Sequence, residues 1–126
     1  MKIVIRAEGG PGIGMGHVMR MLALADKLRE FSEVVFACRD NGQFELGARY
    51  IEGCGYTVVK TNKLGLFERL AQIGGDCLIT DSYDVDEGYF YRTKDIFGIT
   101  GYMDDLNQIR IYADFIINQN IYAEDM

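Results

Sequence analysis

The chain has few of the residues that bind zinc. Its 126 residues include one histidine, and the three cysteines, Cys38, Cys54 and Cys77, lack CxxC spacing. Zinc sites usually combine four cysteine or histidine ligands at short, regular spacings. We therefore expect no zinc site, and we expect the cysteines to be buried thiols.

Long apolar runs and an excess of positive charge are also missing. No apolar run approaches the ~20 residues that span a bilayer, and the first one is too short for a signal peptide. The net charge of −6 argues against nucleic acid or an anionic membrane as partner. We expect a cytoplasmic protein. A phosphorylated small molecule is compatible with this charge, because it needs only a few local donors.

Short apolar strands alternate with helical stretches along a chain of single-domain length. The periodicity predicts strands at 2–7, 33–38, 56–60, 77–80, 99–103 and 115–117. It predicts helices at 17–31, 43–52, 64–73 and 86–97. Such βαβ units favour an α/β fold, with a parallel sheet and helices on both faces.

Polar or glycine-rich segments follow five of these strands directly. Parallel sheets bind ligands beyond the carboxyl ends of their strands, so these segments should form one rim. They are the glycine loop at 9–16, Arg39-Asp40, Asp81-Ser82-Tyr83, Asp104-Asp105 and Asn118-Gln119-Asn120.

The glycine loop joins the first strand to the first helix. This arrangement brings backbone N–H groups and a helix N-terminus to an anion. The loop is not a dinucleotide fingerprint, because GxGxxG would need glycine at Met15 or His17. A nicotinamide enzyme, with Asp40 on the ribose, is therefore a weak alternative. The five glycines exceed what a turn needs, which favours close ligand approach at Gly12, Gly14 and Gly16.

His17, the only histidine, lies at the mouth of the first helix. The positive end of a helix disfavours the imidazolium form, so a neutral ring there suits a general base. The alternative is a core histidine, since His17 aligns with Met21 and Leu28 on the helix. Arg20 lies one turn further along the helix. It could neutralise a phosphate, or it could be an ordinary solvated arginine on the helix surface.

Three later strand ends supply polar candidates. Asp81 and Tyr83 could accept from and donate to a sugar hydroxyl, or Asp81 could cap the next helix. Asp104-Asp105 favours a turn or a sugar contact over a metal, because no third carboxylate cluster supports one. Asn118 and Asn120 suit a turn and an amide contact equally well.

Together these motifs resemble the N-terminal half of the nucleotide-sugar hydrolases of pseudaminic acid biosynthesis and the related spore-coat polysaccharide biosynthesis proteins. The resemblance covers essentially the whole chain, and Ile13 to Arg20 is its most specific part. The supporting segments are Ile5 to Gly10, Leu24-Ala25, Val35 to Cys38, Asp81 to Tyr83, Asp104-Asp105 and Asn118 to Asn120.

The resemblance implies the two-domain GT-B fold, with residues 1–126 as its Rossmann-like N-terminal domain. It also implies release of UDP from UDP-2,4-diacetamido-2,4,6-trideoxy-β-L-altrose by water attack with inversion, without a cofactor or a required metal. His17 would be the general base or would orient that water, and Tyr83 would belong to the same site. The resemblance places further residues in the sugar pocket: Arg6, Asp81, Asp105 and Asn118.

Two departures from that family stand out. Glu8 replaces an expected aspartate or other short polar residue, and the chain stops at Met126, before the C-terminal domain that holds most UDP contacts. We therefore expect this half alone to bind nucleotide weakly and not to turn over. The alternatives are the acceptor-binding domain of a GT-B glycosyltransferase and a non-catalytic sugar-nucleotide-binding module.

Overall fold

Six strands form one parallel sheet in the computed structural model, which describes residues 1–7, 16–39, 45–61, 64–81, 87–103 and 115–117. The strands are β1 (Lys2–Ala7), β2 (Glu33–Arg39), β3 (Thr57–Thr61), β4 (Cys77–Asp81), β5 (Ile99–Met103) and β6 (Phe115–Ile117). They lie in the order β3-β2-β1-β4-β5-β6, and each neighbouring pair is parallel. The predicted α/β, Rossmann-like sheet is thereby confirmed.

Helices of the described chain cover both faces of the sheet. They are α1 (Gly16–Leu28), α2 (Glu45–Gly53), α3 (Leu66–Ile73) and α4 (Glu87–Lys94). Residues of α1 and α2 share one hydrophobic cluster with Ile3, Ile5 and Ala7 of β1. Residues of α3 and α4 share the other cluster with Val4. Successive strand residues point to opposite faces, so two buried faces explain why the strands read as nearly continuous apolar runs.

The strand order reverses direction between β1 and β4. The chain runs outward from β1 through β2 to β3, then crosses back to place β4 on the other side of β1. Because parallel crossovers are right-handed, the two directions of travel put their helices on opposite faces. The reversal leaves a crevice at the carboxyl ends of β1 and β4, where such sheets bind ligands.

Gly75 lies between α3 and β4, where the chain passes close to Lys2 at the start of β1. The backbone N–H of Asp76 donates to the Lys2 carbonyl at 2.9 Å, and the Lys2 N–H donates to Asp76 Oδ2 at 2.8 Å. Gly75 has φ 151°, and a Cβ there would lie 3.2 Å from the Lys2 carbonyl oxygen. The position therefore requires glycine on steric and conformational grounds.

Tyr56 connects the end of α1 to the start of β3. Its hydroxyl donates to Asp26 Oδ1 at 2.5 Å, and its ring meets Phe36 edge-on at 5.2 Å between centroids. The Arg29 guanidinium lies over the same ring, 5.2 Å from its centre. Burial, reinforced by the hydrogen bond to Asp26, raises the pKa of Tyr56 to about 12.

One expectation about the cysteines is wrong. Cys38 and Cys77 are buried, as expected, because they lie on strands covered by helices. Cys54 is exposed, because it lies in the turn that follows α2 rather than on a strand. In the part of the chain that the structure describes, no helix is long and apolar enough to cross a membrane.

Candidate functional site

The carboxyl ends of β1 and β4 lie side by side at the reversal of strand order. Arg6 is paired in register with Thr80, and Ala7 is paired with Asp81. Residues distant in sequence therefore meet at one edge of the sheet, at the place where parallel α/β sheets bind ligands. We call Arg6, Arg20, Thr80, Asp81 and Tyr89 the switch-point cluster.

Arg20 of α1 and Asp81 of β4 form a bidentate ion pair at this edge of the sheet. Arg20 Nε donates to Asp81 Oδ2 at 2.6 Å, and Arg20 Nη2 donates to Oδ1 at 2.5 Å. The Asp81 side chain is fully buried, and that of Arg20 is 17% exposed. Parallel N–H···O bonds between guanidinium and carboxylate fix orientation as well as distance. The pair therefore ties the start of α1 to the end of β4.

The pairing bears on the roles predicted for these two residues. Each was a candidate for direct substrate contact, Arg20 with a phosphate and Asp81 with a sugar hydroxyl. Each oxygen of Asp81 accepts a hydrogen bond from Arg20, so the carboxylate already has a strong protein partner. Arg20 keeps a partly exposed side chain, which leaves part of its surface accessible to a ligand. Substrate contact by either residue stays a prediction.

Arg6 lies at the same edge of the sheet, but on the face covered by α4 rather than on the face of the Arg20–Asp81 pair. Its side chain is fully buried, and its guanidinium carbon lies 5.1 Å from the centre of the Tyr89 ring of α4. A guanidinium over an aromatic face is stabilised by the ring's quadrupole. The switch point thus has an arginine on each face: Arg6 against α4, and Arg20 against Asp81. Because Asp81 neutralises the charge of Arg20, attraction of an anionic ligand by these arginines stays a prediction.

Sequence reasoning missed Tyr89 and Thr80. The Thr80 hydroxyl and the Tyr89 hydroxyl lie 2.7 Å apart, and both side chains are buried. Tyr89 thereby contacts both neighbouring strands: its hydroxyl meets Thr80 of β4, and its ring lies against Arg6 of β1. The available signal was the aromatic run at Tyr89 to Tyr91 in a helix that follows the Asp81 strand end. That run is equally typical of a core helix, so the sequence did not single out Tyr89.

Gly16, the last residue of the glycine loop, and His17 are the first two residues of α1. Gly16 begins the helix, His17 follows, and Arg20 comes one turn later. A Cβ added at Gly16 would meet no heavy atom of the described chain within 4 Å. Packing among the described residues therefore does not require glycine there. Close approach of a ligand stays the prediction for this position.

Several predicted site residues lie outside the described residues, and so does the side chain of His17. These residues are Gly12, Gly14, Asp40, Tyr83, Asp104, Asp105, Asn118 and Asn120. Their assignment to the rim stays a prediction. Among the residues that the structure does describe, no group of three or more histidine, cysteine or acidic side chains could hold a metal ion.

The chain is similar to two known proteins over nearly its whole length, although no family model matches it. An uncharacterized protein of Methanocaldococcus jannaschii is 29% identical over 128 residues, covering 98% of this chain and 26% of that protein. The UDP-2,4-diacetamido-2,4,6-trideoxy-beta-L-altropyranose hydrolase of Campylobacter jejuni is 27% identical over 129 residues. That match covers 98% of this chain and 43% of the hydrolase. The chain thus spans less than half the length of either relative.

Proposed function

We propose that the chain is the N-terminal, Rossmann-like domain of a sugar-nucleotide hydrolase with the two-domain GT-B fold. The observation that carries the proposal is the Arg20–Asp81 ion pair, which fixes α1 to the end of β4 at the switch point. His17 lies one turn before Arg20 on the same helix. The distant similarity to a UDP-sugar hydrolase supports the same substrate class.

The proposed reaction is hydrolysis at the anomeric carbon of a UDP-diacetamido-trideoxy-hexose. His17 takes a proton from the attacking water, and the water oxygen forms a new bond to the anomeric carbon. The bond from that carbon to the diphosphate oxygen breaks, and UDP leaves with the bonding electron pair. A neutral imidazole near a helix N-terminus suits this role, because the local field keeps the ring unprotonated and therefore able to accept a proton.

The switch-point cluster has a supporting role in this proposal. The Arg20–Asp81 pair orients the start of α1, because its two hydrogen bonds fix one relative geometry. Arg6 and Arg20 are further proposed to interact with the diphosphate of the substrate, Arg20 through the part of its side chain that is exposed. Tyr83, Asp105 and Asn118 complete the proposed sugar side of the site. A further, C-terminal domain is proposed to hold most of the uridine diphosphate.

The test is release of UDP and free sugar by the full-length protein that contains this chain, in buffer without any sugar acceptor. We expect both products in equal amounts. UDP release that requires an added acceptor would instead indicate a glycosyltransferase built on the same half-fold. Tight substrate binding without release of either product would indicate a non-catalytic binding module.

A further inference from the structure

A pocket of about 300 Å³ opens at the carboxyl end of β3, apart from the switch-point cluster. Its lining residues are Lys60, Thr61, Leu64, Gly65 and Arg69. Strand β3 is at the edge of the sheet, separated from β1 by β2. At ~4.8 Å between neighbouring strands, the pocket is roughly 10 Å from the end of β1. It is therefore a distinct place on the same edge of the sheet.

Thr61 supplies the first indication of a ligand. Its side chain is 5% exposed, and its hydroxyl oxygen has no hydrogen-bond partner among the described residues. Leaving a buried hydroxyl without a partner is energetically unfavourable, so most such groups have one. A ligand in the pocket that Thr61 lines would supply the missing partner.

The start of α3 supplies the second indication. The helix begins at Leu66, directly after Gly65, which has left-handed backbone geometry at φ 78°. Glycine has no side chain that could cap the first N–H groups of the helix. The N-terminus of a helix attracts anions, because its N–H groups and its dipole both favour negative charge.

The charges around the pocket are mixed, with an excess of positive charge. Lys60 and Arg69 line it, and Arg69 Nε donates to the Lys60 carbonyl at 3.2 Å. Arg69 also donates to Gln72 Oε1 at 3.1 Å, so its guanidinium is held beside the pocket. The opposing charge is Glu68, whose Oε2 lies 3.8 Å from the place of a Cβ on Gly65. The pocket is cationic in a chain whose net charge is −6.

We propose that this pocket binds a phosphate-type oxyanion carried by a small molecule. The Arg69 guanidinium and the Lys60 ammonium supply the charge, and the start of α3 supplies backbone N–H donors. The Thr61 hydroxyl donates from the buried side, and Leu64, which is 89% exposed, contacts the apolar part of the ligand. The site does not depend on the proposed hydrolase function, because it shares no residue with the switch-point cluster.

The test is a titration of this chain with inorganic phosphate at constant ionic strength, followed by backbone amide NMR shifts. We expect saturable shifts at Thr61, Gly65 and Leu66. Arg69→Gln should raise Kd about fivefold, the effect of removing one partly exposed charge contact. Thr61→Val should also raise Kd, and Glu68→Gln should lower it by removing the opposing charge.

The matched control is Arg49→Gln, which removes an exposed arginine of α2 that pairs with Glu45. It should leave the phosphate Kd unchanged. Non-saturating shifts spread over the surface would overturn the proposal, as would equal Kd values for Arg69→Gln and Arg49→Gln. Because Arg69 is exposed, its replacement should leave the fold intact, so a negative result cannot be attributed to unfolding.

Discussion

Arg20 of α1 donates through two nitrogens to the two carboxylate oxygens of Asp81, the last residue of β4. The pair joins the helix that follows β1 to the strand that neighbours β1 on the other side. The pair therefore links the β1 side and the β4 side of the sheet at the point where the strand order reverses. Any ligand in that crevice lies next to this ion pair.

Removing Arg20 should destabilise the chain strongly. Arg20→Gln leaves the fully buried Asp81 carboxylate without its guanidinium, and breaking a buried pair in this way costs about 3–5 kcal/mol. Urea unfolding measures the change in the free energy of unfolding. Arg49→Gln, which breaks an exposed pair with Glu45, is the control and should cost about 0–1 kcal/mol. Equal changes in the free energy of unfolding for the two variants would show that the Arg20–Asp81 pair stabilises the fold no more than an exposed ion pair does.

The hydrogen bond between Thr80 and Tyr89 should show strong coupling in a double-mutant cycle. Tyr89→Phe and Thr80→Val each leave one buried hydroxyl without this partner, at about 1–2 kcal/mol each. The double variant should cost clearly less than the sum, because no unpaired hydroxyl then remains from this bond. Additive costs in urea unfolding would contradict a direct bond between the two hydroxyls.

Stability above pH 10 should depend on Tyr56. The folded chain keeps the Tyr56 proton up to about pH 12, whereas the unfolded chain loses it near the ordinary value of 10.0. The unfolded state therefore binds fewer protons in this window, and stability falls as pH rises from about 10 to 12. The loss due to this group amounts to about 2 to 3 kcal/mol. Tyr56→Phe should flatten this part of the profile; an unchanged slope would exclude Tyr56 as its source.

Two glycine substitutions should have opposite outcomes. Gly75→Ala places a methyl 3.2 Å from the Lys2 carbonyl oxygen at a positive φ, and we expect a loss of about 1–3 kcal/mol. Gly53→Ala, at the end of α2, meets no heavy atom of the described residues within 4 Å. It should be neutral or stabilise by up to ~1 kcal/mol. A similar thermal midpoint for both variants would contradict the close approach of Gly75 to β1.

The strands followed from sequence to within one residue and the helix ends to within three, because strands buried on both faces leave stronger patterns than helix ends do. The side-chain partners did not follow. Strand ends placed Asp81 on the rim, but its pairing with Arg20 depends on how α1 crosses the sheet. Tyr89 was missed because the sequence pattern of an aromatic helix does not distinguish a tyrosine of the hydrophobic core from one near a binding site. Cys54 was misjudged because composition alone does not separate strands from turns.

The proposal for the switch point concerns a reaction, so its most direct test is the rate of that reaction. The measurement is kcat and KM for UDP release by the full-length protein with His17→Ala, compared with Met19→Ala as an exposed α1 control. We predict that His17→Ala lowers kcat by about 10²- to 10⁴-fold, with little change in KM, because only proton transfer is lost. Met19→Ala should match the unchanged protein. A His17→Ala enzyme with unchanged kcat would contradict the account.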